Sequence, residues 1–224
     1  MAPQGLRVIA EQDAADDLIP PGVATVRAVR ERASIIGAVT ATLANPDMRR
    51  VVVVAGPELP DAFCAAVVAR LMLVERLDVE VALVLPAPTL ATKIYELPFG
   101  APAVELAQSG AAVELPLVRD DAAIVLLGRA HQRGVDGDLG GESYVDNDLL
   151  YRGRTKGVVI EPLMTMPGVR AKVDRRWRSS WLTGRAVQTG APQLVVDRDG
   201  VPGPRPVKRS TFYRHHVNWK LVRP

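Results

Sequence analysis

The chain holds one cysteine, Cys64, and only 4% of its residues are Phe, Trp or Tyr. A lone thiol excludes an internal disulfide, and its apolar surroundings fit an inert, buried side chain in a reducing compartment. With so few rings, the core must be built mainly from Val, Leu, Ile and Ala. No uninterrupted apolar run approaches the roughly 18 residues of a membrane-spanning helix. The opening MAPQGLRVIAEQDAADD lacks the basic start and apolar run of a secretory signal, so a cytoplasmic protein is expected. What is present is ordinary for a globular protein: 48% apolar and 24% charged residues among 224, enough for one large domain or two small ones.

Acidic residues are scarce in one part of the chain. Residues 150–224 carry 16 Lys or Arg against 4 Asp or Glu, whereas residues 1–149 carry 12 against 21. A second part this basic points to an anionic partner: a phosphate-bearing small molecule, nucleic acid, an acidic membrane surface or an acidic protein. A solvated basic face beside an acidic first part is the plain alternative. The closing VKRSTFYRHHVNWKLVRP has five Lys or Arg, two of the three histidines and no acid. From Tyr213 its apolar positions recur every second residue, the period of a half-buried strand rather than of a disordered basic arm.

The first part alternates strand-like and helix-like segments. LRVIA (6–10) reads as a strand, Val23 to Leu43 as a helix stopped by Asn45-Pro46, and VVVVAG (51–56) as a strand covered on both faces. Asp61 is placed to cap a helix through AFCAAVVARLMLVERL, and DVEVALVLP returns as a strand. A shorter helix is expected around Val104 to Gln108, and DDAAIVLLG (120–128) reads as another buried strand. Strand, helix and strand within about 35 residues make a right-handed βαβ crossover and a mostly parallel sheet. From Gly140 onward short segments bounded by turns indicate a mainly antiparallel, β-rich part; SYVDNDLLY and LVVDRDGVPGPRPVKR read as hairpins. The expected division is an α/β domain at 1–138 and a β-rich basic domain at 139–224.

Two stretches offer chemistry. In AIVLLGRAHQRG (123–134), Gly128 at the carboxyl edge of a parallel strand would let backbone amides approach a phosphate. Arg129 and Arg133 would pair with its oxygens, and His131 would act as an acid or base near neutral pH. In RGVDGDLGGESYVDND (133–148), Asp136 and Asp138 offer hard oxygen ligands for Mg²⁺, although the order fails the EF-hand pattern and also suits an exposed Asp/Gly turn. No serine sits in a nucleophile elbow. His215 and His216, adjacent on a strand, would face opposite ways and share no metal. Basic residues interleave with rings in KVDRRWRSSWLTGR (172–185). There Trp177 and Trp181 would either pack in the core or stack on bases.

AAIVLLG resembles the strand that precedes the glycine-rich phosphate loop of the NAD kinase and diacylglycerol kinase superfamily. LVVDRDGV and the closing VKRSTFYRHHVNWKLVRP are similar to its last strands. The resemblance implies a two-part, kinase-like, nucleotide-binding fold. Where that family carries GGDGT, this chain has Gly128-Arg129-Ala130-His131-Gln132, so no catalytic residue carries over. The resemblance therefore implies a noncatalytic relative or one with altered ligand chemistry, holding an anionic, nucleotide- or phosphate-like ligand at the junction of the two parts. The alternative is a non-enzymatic protein whose basic β part meets nucleic acid, membrane or protein.

Overall fold

A computed structural model of the chain describes residues 5–175 and 179–224. Trp177 lies outside them. The chain forms two compact units, one of residues 1–115 and 217–224, the other of residues 116–216.

Unit 1 is a six-stranded sheet with helices. Its elements are β1 (Leu6–Glu11), a 3-10 turn (Asp16–Leu18), β2 (Thr25–Ala28), α1 (Arg32–Leu43), β3 (Arg50–Val54), α2 (Pro60–Leu73), β4 (Glu80–Val84), α3 (Leu90–Tyr95), α4 (Ala101–Ser109) and β5 (Ala111–Leu115). The strand order is β2-β1-β3-β4-β16-β5, where β16 (Trp219–Arg223) arrives from the far end of the sequence. All neighbours pair in parallel except β16 with β5. Continuous apolar runs suit strands covered on both faces: Val51 to Val54 and Val84 are fully buried. The segment expected to be one helix from Val23 is instead β2 followed by α1. Thr25 and Val26 line the edge beside Val8 and Ile9, where β-branched side chains fit the pleat.

Unit 2 is an antiparallel, ten-stranded sheet folded around its own core. It comprises β6 (Val118–Asp120), β7 (Ala130–Gly134), β8 (Leu139–Val145), β9 (Asp148–Thr155), β10 (Val158–Pro162), β11 (Val169–Val173), β12 (Leu182–Gly184), β13 (Ala186–Arg198), β14 (Val201–Pro202) and β15 (Val207–Arg214). Strands β8 and β9 form the expected hairpin, as do β13 and β14. The inward faces bury Leu126, Leu139, Ile160, Val187, Leu194 and Phe212 completely.

The division differs from one near residue 138. β6 and β7 pair into the antiparallel sheet, and β16 leaves it for the parallel one, so the chain enters unit 2 after Leu115 and leaves it after His216. The closing stretch is accordingly two strands rather than one. The bend between them holds His215 and His216 with their rings 4.3 Å apart, not on opposite faces. Among the described residues no helix is long and apolar enough to cross a membrane.

Candidate anion site

In β7 the two-residue period sends Ala130 and Gln132 inward, which puts His131 and Arg133 on the other face. Arg129, one step before the strand, shares their side. Across the neighbouring strand β10, His131 lies opposite Val159, and Val159 lies opposite Lys172 of β11. Two pairs further along, on the same face, Glu161 of β10 lies opposite Arg170 of β11. Trp181, just before β12, carries both cations of β11 on its ring: the Arg170 guanidinium carbon is 4.4 Å and the Lys172 Nζ 4.7 Å from the ring centre.

Glu161 organises this face. It is 2% exposed, and both its oxygens are taken by arginine: Arg129 donates to Oε1 through Nε (2.8 Å) and through Nη2, and Arg170 donates to Oε2 through Nε (3.0 Å) and Nη2 (2.6 Å). One carboxylate thus fixes two guanidinium groups. Lys172 and Arg133 have no ion pair among the described residues; Arg133 instead donates from Nη2 to His131 Nδ1. A nitrogen that accepts carries no hydrogen, so the neutral imidazole bears its proton on Nε2. That Nε2 is buried and has no hydrogen-bond partner among the described residues. Burial first, then Arg133 and Arg129, hold the His131 pKa below the ordinary imidazole value, while Asp174 and Asp197 act weakly the other way. His131 is therefore a neutral N–H donor rather than a charged acid at neutral pH.

Of the residues singled out in the sequence, Arg129, His131 and Arg133 come together here, and Gly128 does not. No parallel strand runs through residues 123–128. Asp120 Oδ1 accepts from the amides of Ala122 and Ile124, which folds the chain into a tight turn back along β6. The amides of Leu127 (3.1 Å), Gly128 (2.8 Å) and Arg129 (2.9 Å) do converge on an anion, but it is the chain's own Asp199 carboxylate. Asp136 and Asp138 stand in the β7–β8 turn, and Asp138 is held below the usual carboxylate range by Lys156, 2.7 Å away. Among the described residues no group of three or more His, Cys, Asp or Glu side chains is placed to hold a metal ion.

Sequence reasoning missed Glu161 and Arg170, which stand in unremarkable strands. The available signal was their alternation: IEP and VRA carry one charge each between apolar neighbours, and a charge inside a buried strand demands a partner.

A doubly wound sheet binds phosphate at the carboxyl ends of its strands where the order reverses. In unit 1 that is between β1 and β3, and the loop there is Ala55-Gly56-Pro57-Glu58-Leu59. Carboxylates crowd this position. The Gly56 amide is 2.9 Å from Glu11 Oε2, and a side chain on Gly56 would come within 2.2 Å of Asp13 Oδ1. Burial raises the Glu11 pKa, opposed by the Gly56 amide and Arg30 and reinforced by Asp13 and Glu58. Helix α2 opens on Pro60, which has no N–H, and bears Asp61 in its first turn. Asp61 does not cap α2: its Oδ2 accepts from Ala91 at the start of α3, 3.1 Å away.

Neither protein-family models nor curated proteins give a match to the chain. Among solved structures it is similar to a diacylglycerol kinase from Bacillus anthracis str. Sterne, with 9% identity over 98% of this chain and 96% of that one and a TM-score of 0.72. It is also similar to an NAD kinase from Archaeoglobus fulgidus in complex with ATP, with 12% identity over 97% and 93% of the two chains and a TM-score of 0.60. These likenesses show a kinase-like fold, α/β followed by antiparallel β.

Proposed function

We propose that this protein binds an anionic, phosphate-bearing small molecule, a nucleotide first of all, on the β7–β10–β11 face of unit 2. It does so in the cytoplasm, as a noncatalytic protein of kinase-like fold. The observation that carries the reading is His131 Nε2–H, a buried donor with no hydrogen-bond partner among the described residues, beside the Arg133 guanidinium, which has no ion pair among them. Buried donors are nearly always satisfied, and an anion is an acceptor that the neighbouring guanidinium groups favour. The similarity to an NAD kinase that holds ATP supports a nucleotide as ligand.

Phosphoryl transfer needs a preorganised cradle around the transferred group. The strand ends of unit 1 offer Glu11, Asp13, Glu58 and a proline in its place. A thermal-shift titration with ATP, ADP and NAD, each with and without Mg²⁺, tests the reading: stabilisation should grow with ligand concentration, and ATP should remain intact. No shift at millimolar ligand overturns it.

A second reading is contact with single-stranded nucleic acid, favoured by Trp181 and its two stacked cations in a unit with 17 Lys or Arg against 11 Asp or Glu. Its mark is binding that weakens steeply with salt. A filter-binding assay in 50 mM salt that retains no labelled oligonucleotide removes it.

A further inference from the structure

We propose that the amides of Leu127, Gly128 and Arg129 form a second oxyanion site, for a phosphate or carboxylate group, which the chain keeps closed with the carboxylate of Asp199. Gly128 and Arg129 donate to Asp199 Oδ1 (2.8 and 2.9 Å) and Leu127 donates to Oδ2 (3.1 Å), so three consecutive N–H groups converge on one negative group. Successive amides gathered in a bend make an anion cradle from backbone alone. The site lies within unit 2 and does not depend on the His131 face.

The carboxylate comes from outside the cradle's own loop. Asp199 and Gly200 are the central residues of the two-residue turn from β13 to β14, with φ of 51° and 85°, the signs that a type I′ turn requires. Glycine and asparagine suit that first position as well as aspartate does. The turn itself therefore asks for no carboxylate. Its placement does not ask for one either: Asp199 N–H donates to the Arg129 carbonyl (2.9 Å), Gly200 N–H donates to Asp197 Oδ1 (3.0 Å), and Arg198 is paired with both Val201 and Ala130. None of these contacts uses the Asp199 side chain. Leu127 and Gly128 are buried, whereas Asp199 is half-buried and Gly200 exposed, so the acid that fills the cradle belongs to a residue in touch with water. A ligand oxyanion enters by displacing it, which makes the contact autoinhibitory.

The test is chemical rescue. Asp199→Gly keeps the turn and takes the acceptor from three amides, so in chloride buffer it should melt below the parent. Inorganic phosphate or acetate at equal ionic strength should raise its Tm by more than the parent's, a comparison that subtracts the general effect of the salt. The ion that rescues names the oxyanion taken. The amide resonances of Leu127, Gly128 and Arg129 should report binding about tenfold or more tighter than in the parent, because a tethered carboxylate competes at millimolar effective concentration. Asp199→Asn, which keeps the turn and a side-chain oxygen but not the charge, should gain less. No gain in either variant overturns the site, and equal affinity in variants and parent overturns its closure by Asp199. If only the His131 ring resonances respond to phosphate, the anion-binding reading of that face stands and this inference falls.

Discussion

Trp219 meets Tyr95 edge to face, with ring centroids 5.5 Å apart and planes at 79°. Both rings are fully buried, so the second of two widely separated chain segments completes the core of the first. Trp219→Ala should cost about 3–5 kcal/mol, and removal of residues 219–224 should cost more, because β5 then loses β16, its neighbour in the sheet. Chemical denaturation measures both. An unchanged midpoint after truncation would restore the picture of a free basic arm.

Glu161→Gln removes the charge that holds Arg129 and Arg170. Breaking a buried pair costs about 3–5 kcal/mol, and because each arginine is about one-third exposed the low end of that range applies. The neutral amide should also weaken nucleotide binding more than it lowers Tm at saturating ligand would explain, since two guanidinium groups lose their fixed orientation.

His131 is depressed below its ordinary value of 6.5 by burial and by Arg133 and Arg129. The unfolded chain therefore takes up the proton first as pH falls. Its contribution to stability is complete above about pH 6.5 and is lost as pH drops through the lower, folded value. His131→Asn should flatten the denaturation midpoint over that interval; a slope equal to that of the parent would assign the effect to other groups.

Asp61 moves the opposite way. Burial raises it above its ordinary 3.8, against help from Thr89 and the Ala91 and Leu90 amides. The folded state holds this proton more tightly, so the contribution is present below the ordinary value and declines as pH rises through the folded one. Asp61→Asn should keep the Ala91 contact and be relatively more stable at pH 7 than at pH 4, when compared with the parent at each pH.

Gly134→Ala should destabilise by about 1–3 kcal/mol, because the added methyl would stand 1.9 Å from the backbone oxygen of Asp138, which has no free rotation to move it aside. A thermal melt equal to that of the parent would show that the β7–β8 turn yields.

The order of layers was legible in the chain, since Val51 to Val54 and the β8–β9 hairpin carry the periods of a buried parallel strand and of an antiparallel ribbon. That Arg129, His131 and Arg133 share one face of β7 was legible too, because they alternate along one strand. What escaped was set by pairing across distance. Nothing near Gly128 in sequence announces that Asp199, 71 positions away, supplies the anion for its amide. Nothing in IEP tells that Glu161 meets Arg129 as well as Arg170. The helix expected from Val23 failed for the same reason: edge pairing with β1 decides the state of Thr25 to Ala28, and helical spacing does not.

The position of β16 between β4 and β5 has a consequence for biosynthesis. β5 emerges from the ribosome long before its partner, roughly one hundred residues later, with the whole of unit 2 in between. Until then Ala111 to Leu115 present a bare strand with no sheet to join. A nascent chain stalled before Trp219 should hold a finished antiparallel unit beside an unsealed parallel one, and it is that unsealed margin which a chaperone would be expected to shield.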